Sequence, residues 1–140
     1  MARIFLFDTT LRDGAQTQGV DFSINDKQII AGALDQLKID YIEGGWPGAN
    51  PTDEAFFQTP PQFRHARFVA FGMTRRSGRS AENDPALVSI VQAQAQAACL
   101  VAKSWDFHVD VALGIEREEN LAMIGDSIRH VAAHSHEAML

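Results

Sequence analysis

The sequence predicts an α/β protein with a parallel β-sheet. Short apolar runs alternate with longer stretches of helical periodicity, and this strand–helix order repeats four times along the 140 residues. Each apolar run leads into a polar or glycine-rich segment. Strands that alternate with helices pair in parallel through right-handed crossovers, so all four strand ends are expected at one edge of the sheet.

Length and composition argue against several other classes of protein. A chain of 140 residues is long enough for one ordinary domain. Its net charge of −6 is opposite in sign to that of a nucleic-acid-binding surface. No apolar run approaches the roughly 20 residues of a transmembrane helix, and no signal-peptide pattern is present. The single Cys99 cannot form an internal disulfide, and together with the lack of an export signal this predicts a cytoplasmic protein. The acidic charge and the lack of a transmembrane run predict no nucleic-acid or membrane partner.

The first predicted strand ends in the most informative polar cluster of the chain. Residues 3–7 are almost continuously apolar, which is typical of a parallel strand covered on both faces. Arg12 and Asp13 follow as neighbours, and Gly14 after them allows a sharp bend. Gln16 closes the cluster. Charged residues at the end of a buried strand are typical of catalytic loops in parallel α/β proteins.

The other elements follow from apolar periodicity and helix-capping residues. Asp84 can cap a helix, and Pro51 and Pro85 suit first helical turns. The predicted strands are residues 3–7, 39–43, 68–72 and 97–102, and the predicted helices are residues 25–38, 51–57, 85–94 and 116–133. The predicted apolar stripes are Ile29, Ile30, Ala33, Leu34 and Leu37 on the first helix, and Leu121, Ile124, Ile128 and Val131 on the last. The residues before Leu140 are compatible with the start of a fifth strand.

The loops after the four strands are expected to share one face of the protein. They contain residues 12–13, 43–45, 74–76 and 103–106. In a (β/α) fold this is the catalytic face, so Arg12, Asp13 and Glu43 should lie close together.

The first loop also resembles a family signature. Residues 8–16, DTTLRDGAQ, resemble the opening motif of the DRE-TIM metallolyase superfamily, which includes isopropylmalate, homocitrate and citramalate synthases and hydroxymethylglutaryl-CoA lyase. Residues 40–48, 70–76 and 103–109 resemble citramalate synthases in particular. These four motifs occur in order along nearly the whole chain and therefore indicate homology.

This resemblance implies that the chain is part of a TIM (β/α)₈ barrel. A complete barrel needs roughly 200 to 250 residues, so residues 1–140 are expected to form a partial pyruvate-carboxyltransferase-like catalytic domain of about four β/α units, truncated at its C-terminus. In such a piece the first and fourth strands would be exposed edges.

The resemblance also implies a reaction. Citramalate synthases join acetyl-CoA to pyruvate, a 2-oxoacid, by a Claisen-type condensation in isoleucine and leucine biosynthesis, with a divalent metal (Mg, Mn or Zn) on the 2-oxoacid. By the match of motifs, Asp13 corresponds to a metal ligand and Arg12 to the arginine that binds the substrate oxygen and stabilises its developing charge. Gln16 is expected to contact substrate and Glu43 to take part in catalysis. The full-length relative is expected to be a homodimer.

Other ligands of that family's metal have no counterpart here. Its two His-x-His ligands and its catalytic glutamate belong to later strands, and one carboxylate cannot hold a metal strongly. His134-Ser135-His136 has the His-x-His pattern but falls at a helix end, where the helix dipole favours histidine, so we assign it no metal role. The 140 residues by themselves are therefore expected to be inactive. Two alternatives stay open: a 2-isopropylmalate synthase or related carbon–carbon lyase, and a non-catalytic truncated remnant.

Several further residues have a functional and a structural interpretation. We interpret the arginines at 75, 76 and 79 as solvated rather than phosphate-binding, and Cys99 as a small buried residue. His108 is open to either interpretation, as are Trp46 and Trp105, which can line a pocket or pack between loops.

Overall fold

A computed structural model describes residues 3–134 and 137–140 and contains a five-stranded sheet. All four strand pairs are parallel, and the strands lie in the order in which they occur along the chain. This sequential order is that of a (β/α) barrel, in which each crossover places a strand beside its predecessor. The strands are β1 (Phe7–Asp8), β2 (Tyr41–Gly45), β3 (Arg67–Met73), β4 (Ala97–Val101) and β5 (Glu137–Met139).

The helices begin where the sequence places capping residues. The Ser23 and Asp26 side chains form a reciprocal capping box at the first helix, and Asn50 and Asp84 accept backbone N–H groups at the next two. The helices are α1 (Ile24–Gln36), α2 (Pro51–Gln58), α3 (Pro85–Gln92), α4 (Asp106–His108) and α5 (Arg117–His134), with a π-helical turn at Val109–Leu113 and 3₁₀ turns at Gly14–Gln16 and Ala81–Asn83. Apart from the first strand, the predicted elements agree with these bounds to within two residues.

The main core lies between the sheet and its covering helices. Phe68 of β3 stacks on Phe57 of α2 at 4.7 Å between ring centroids and meets Phe56 edge-on at 5.2 Å. Gly44 of β2 faces these rings, and a Cβ built there would lie 2.2 Å from a Phe68 ring carbon. The end of β2 is thus pressed against an aromatic cluster that requires a glycine.

The first strand differs from its prediction. Only Phe7 and Asp8 pair with β2, and Phe5 and Leu6 are about half exposed, at 53% and 52%. The expectation of a strand covered on both faces is therefore wrong for the described residues, because consecutive side chains, which point to opposite faces of an extended segment, both stay half exposed. β1 is also an edge strand, with β2 on one side only. The second exposed edge is β5 rather than the fourth strand, because Ala97 of β4 pairs with Glu137 of β5.

The buried faces of α1 and α5 also differ from the predicted stripes. Ile29 of α1, Leu37 directly after α1 and Leu121 of α5 are largely exposed. The fully buried positions include Lys27 on α1 and Ser127 on α5, both of which hydrogen-bond inside the protein. The predicted stripes are wrong at Ile29, Leu37 and Leu121, because polar residues with internal partners occupy some core-facing positions. The other stripe residues that pack against or within the main core are Ile30, Leu34, Ile128 and Val131.

The described helices include none that is long and apolar enough to cross a membrane. Ser135 and His136 of the His-x-His sequence lie outside the described residues.

Candidate active site

The turn after β1 presents Arg12 and Asp13 at the carboxyl edge of the sheet. The Thr9 carbonyl accepts the backbone N–H groups of Arg12, Asp13 and Gly14 at 3.1, 2.8 and 3.2 Å. Leu11 is fully buried and anchors the turn in the core. The strand therefore ends in one tight, anchored turn, from which the two charged side chains project.

Arg12 and Glu43 form the centre of the site. The Arg12 Nε–H donates to Oε2 of Glu43 at 2.8 Å, and its Nη1 donates to Oδ1 of Asp13 at 2.7 Å. The Arg12 guanidinium also lies over the ring of Phe71 on β3, with Cζ 4.2 Å from the ring centroid. Residues from three neighbouring strands or strand ends thus meet at one guanidinium, as the sequence predicted for Arg12, Asp13 and Glu43.

Glu43 is a carboxylate in an unfavourable environment. Its side chain is only 1% exposed, and this burial raises its pKa. The negative charge of Asp13 raises the pKa further, while the hydrogen bond and charge of Arg12 oppose the shift. A buried acid whose pKa is set by competing neighbours is a frequent property of functional sites.

A cavity of about 360 Å³ opens beside this centre. Arg12 and Gln16 line it, together with Trp46 from the loop after β2. Trp46 also packs edge-on against Phe71 at 5.5 Å between centroids, so it both lines the cavity and packs between loops. The volume is in the range of small-molecule sites.

A buried ion pair that sequence reasoning missed lies on the wall of the same cavity. Lys27 of α1 is 3% exposed and pairs with Asp53 of α2. Its ammonium also donates to the carbonyls of Leu11 and Gly44, each at 2.9 Å. One signal was available: position 27 is in helical phase with the buried Ala31, so it lies on the inner face of α1.

The described residues do not complete a metal site. No three His, Cys, Asp or Glu side chains lie close enough together within residues 3–134 and 137–140 to hold a metal ion. Asp13, the predicted ligand, offers one carboxylate that is 62% exposed and shared with Arg12. This donor set alone does not fit a tightly bound divalent cation, and the role of Asp13 as a ligand stays a prediction.

The interpretation of Arg75 as a solvated residue is wrong. Its side chain is buried, and it pairs with Glu119 at 2.9 Å and Asp126 at 2.8 Å on α5. The Arg75 backbone N–H donates to Ser127 Oγ at 2.8 Å. Arg75 therefore joins the loop after β3 to α5.

The other residues with two interpretations lie mainly on surfaces. Arg76 and Arg79 are exposed, as predicted. His108 is exposed and packs edge-on against the exposed Trp105 at 4.8 Å, so the structure favours a packing role for both. Cys99 is half-buried rather than buried, because it lies on the sheet face that no helix covers among the described residues.

Sequential parallel strands with charged side chains at their carboxyl ends define a (β/α)-barrel type of protein. A family model described as HMGL-like matches residues 3–139. The chain therefore belongs to the HMGL-like family, whose domains are TIM barrels, and its five strands are part of such a barrel. The family relationship predicted from the four motifs is confirmed.

Named relatives of this chain are synthases. An (R)-citramalate synthase of Streptomyces coelicolor is 49% identical over 131 residues, which cover 91% of this chain and 24% of that protein. An (R)-citramalate synthase of Aquifex aeolicus is 43% identical over 139 residues, covering 98% and 26%. A 2-isopropylmalate synthase of Listeria innocua is 34% identical over 131 residues, covering 93% and 25%. The chain thus spans about a quarter of the length of these relatives.

Proposed function

We propose that this chain forms part of the active site of a citramalate synthase-like acyltransferase, which condenses acetyl-CoA with pyruvate. The observation that carries the proposal is the Arg12 guanidinium held between Glu43 and Asp13 at the carboxyl edge of the sheet. Identities of 43–49% to named citramalate synthases support the choice of substrate. Residues 1–140 would belong to a pyruvate-carboxyltransferase-like domain of a cytoplasmic, homodimeric enzyme of branched-chain amino-acid biosynthesis.

Arg12 is the residue that would act on the 2-oxoacid. Condensation places negative charge on the keto oxygen, and a preorganised guanidinium stabilises such charge. Glu43 and Asp13 engage Nε and Nη1, which fixes the plane of the guanidinium. Within the described residues Nη2 makes no hydrogen bond and can donate to a substrate oxygen.

Gln16 and Asp13 would complete the contacts from this chain. Gln16 lines the cavity beside Arg12, where its amide can hydrogen-bond a 2-oxoacid carboxylate. Asp13 can contribute one carboxylate oxygen to a divalent cation, but the described residues do not complete that site, and no step is assigned to a metal here.

Two alternatives remain testable. A 2-isopropylmalate synthase would use a larger 2-oxoacid, and its named representatives are 31–35% identical to this chain. A non-catalytic remnant is favoured by the lack of a three-ligand metal site among the residues described.

Release of the CoA thiol from acetyl-CoA tests the proposal. The assay uses a chain extended past Leu140, so that further metal ligands can be present, with Mg²⁺ or Mn²⁺ and either pyruvate or 2-oxoisovalerate. Residues 1–140 alone are expected to be inactive, because the described residues do not complete a metal site. We expect pyruvate-dependent release that falls at least about a hundredfold in Arg12→Lys, because lysine cannot reproduce the fixed guanidinium. Arg76→Lys, at an exposed arginine, is the matched control and should keep full activity.

Release with 2-oxoisovalerate in preference to pyruvate would instead identify a 2-isopropylmalate synthase. No 2-oxoacid-dependent release from a folded protein would support the non-catalytic alternative.

A further inference from the structure

We propose that the buried Lys27–Asp53 pair is a positioning device that sets the geometry between Arg12 and Glu43. This inference rests on the proposed function, since it concerns the two side chains assigned to catalysis there. Lys27 and Asp53 would not touch substrate. They would act through the turn that carries Arg12 and the end of β2 that carries Glu43.

The Lys27 ammonium joins both strand ends directly. It has three N–H donors, and all three have a partner: the carbonyl of Leu11, the carbonyl of Gly44 and the carboxylate of Asp53. Leu11 immediately precedes Arg12, and Gly44 immediately follows Glu43. One buried cation therefore fixes the backbone next to each partner of the Arg12–Glu43 ion pair.

Asp53 extends the same connection to the loop after β2. Its Oδ2 accepts the backbone N–H of Trp46 at 2.9 Å and the side-chain amide of Asn50 at 3.1 Å. Gly45 has φ of 149°, and a Cβ there would lie 2.5 Å from Asp53 Cγ. The end of β2 is thus packed against the carboxylate so closely that position 45 must be a glycine.

Stability alone does not account for this pair. Burying two charges costs solvation free energy, and apolar residues of similar volume often stabilise a fold equally well. What an apolar pair could not do is hold two backbone carbonyls from different strands at hydrogen-bond distance. A catalytic arrangement works only when its side chains are held to within about 0.5 Å, which such a bridge supplies.

The test follows the Arg12 Nε–H by ¹⁵N NMR in the 140-residue protein, because this hydrogen is bonded to buried Glu43 and should exchange slowly with water. The variant is Lys27→Met combined with Asp53→Asn, which removes one charge of each sign. The matched control is Val131→Ala, which removes core volume at a fully buried position on α5. Both proteins are expected to melt at lower temperature than wild type.

We expect exchange of the Arg12 Nε–H to accelerate at least about tenfold in the double variant and to stay near the wild-type rate in Val131→Ala. The reason is that only the double variant locally loosens the Arg12 turn and the end of β2. Unchanged exchange in the folded double variant would overturn the proposal. So would equal acceleration in both proteins, which would show that protection follows global stability.

If the double variant does not fold, Asp53→Asn alone carries the test. Faster exchange there supports a positioning role, and an unchanged rate overturns it. An Arg12 Nε–H that is unprotected already in the wild type would instead contradict the Arg12–Glu43 contact itself, and with it the proposed function.

Discussion

Gly44→Ala is the substitution whose effect the structure determines most directly. A Cβ at this position would lie 2.2 Å from Phe68 Cε2 and 3.2 Å from a Phe56 ring carbon. The Phe68 ring would have to move by at least about 1.2 Å to reach ordinary contact, but it is stacked on Phe57 and fully buried. Overpacking of this kind typically costs about 1–3 kcal/mol, and the rigid ring places Gly44→Ala toward the upper value.

Urea unfolding followed by circular dichroism measures this cost. Gly32→Ala is the matched control, because it is the same substitution inside α1 with nothing within 4 Å of the new Cβ. It should stabilise the protein by up to about 1 kcal/mol through helix propensity. Phe68→Leu in the Gly44→Ala background should recover about 1 kcal/mol relative to additivity, because the smaller side chain relieves the clash.

A Gly44→Ala protein with the same urea midpoint as the wild type would refute this reasoning. So would strict additivity with Phe68→Leu, since the two positions would then not be in contact.

Two further predictions concern the charged groups. Because burial raises the pKa of Glu43, the wild type should gain stability from this group below its unfolded-state pKa near 4.5 and lose that gain as pH rises through the folded-state pKa. The glutamine of Glu43→Gln cannot titrate in this range. The wild type should therefore exceed Glu43→Gln in unfolding free energy by a difference that shrinks between pH 4.5 and 8 in urea titrations. A difference that grows with pH would contradict a raised pKa for Glu43. Hydrogen bonds from Arg75 and, to a smaller extent, from Arg129 lower the pKa of Asp126. Arg75→Met should therefore raise the pKa of Asp126 toward its ordinary value in a ¹³C NMR titration. An unchanged pKa would argue against the Arg75–Asp126 contact.

Much of the architecture was accessible from local sequence patterns. Alternating apolar runs and helical stretches predicted the parallel strands, and capping residues such as Asp84 placed the helix starts within two residues. These signals are local, because periodicity and capping depend on a few neighbouring residues. The meeting of Arg12, Asp13 and Glu43 also followed, since parallel topology brings strand ends to one edge.

Which face of each helix is buried, and which charged residues are internal, depended on the tertiary structure. The basic loop that contains Arg75 predicted a solvated side chain, and the sequence analysis made no prediction for Lys27, yet both are buried. Their burial is possible only because partners distant in sequence satisfy them: Asp126 lies 51 residues from Arg75, and Asp53 lies 26 residues from Lys27. The cost of burying a charge is decided by the atoms around it, and those atoms come together only when the chain has folded.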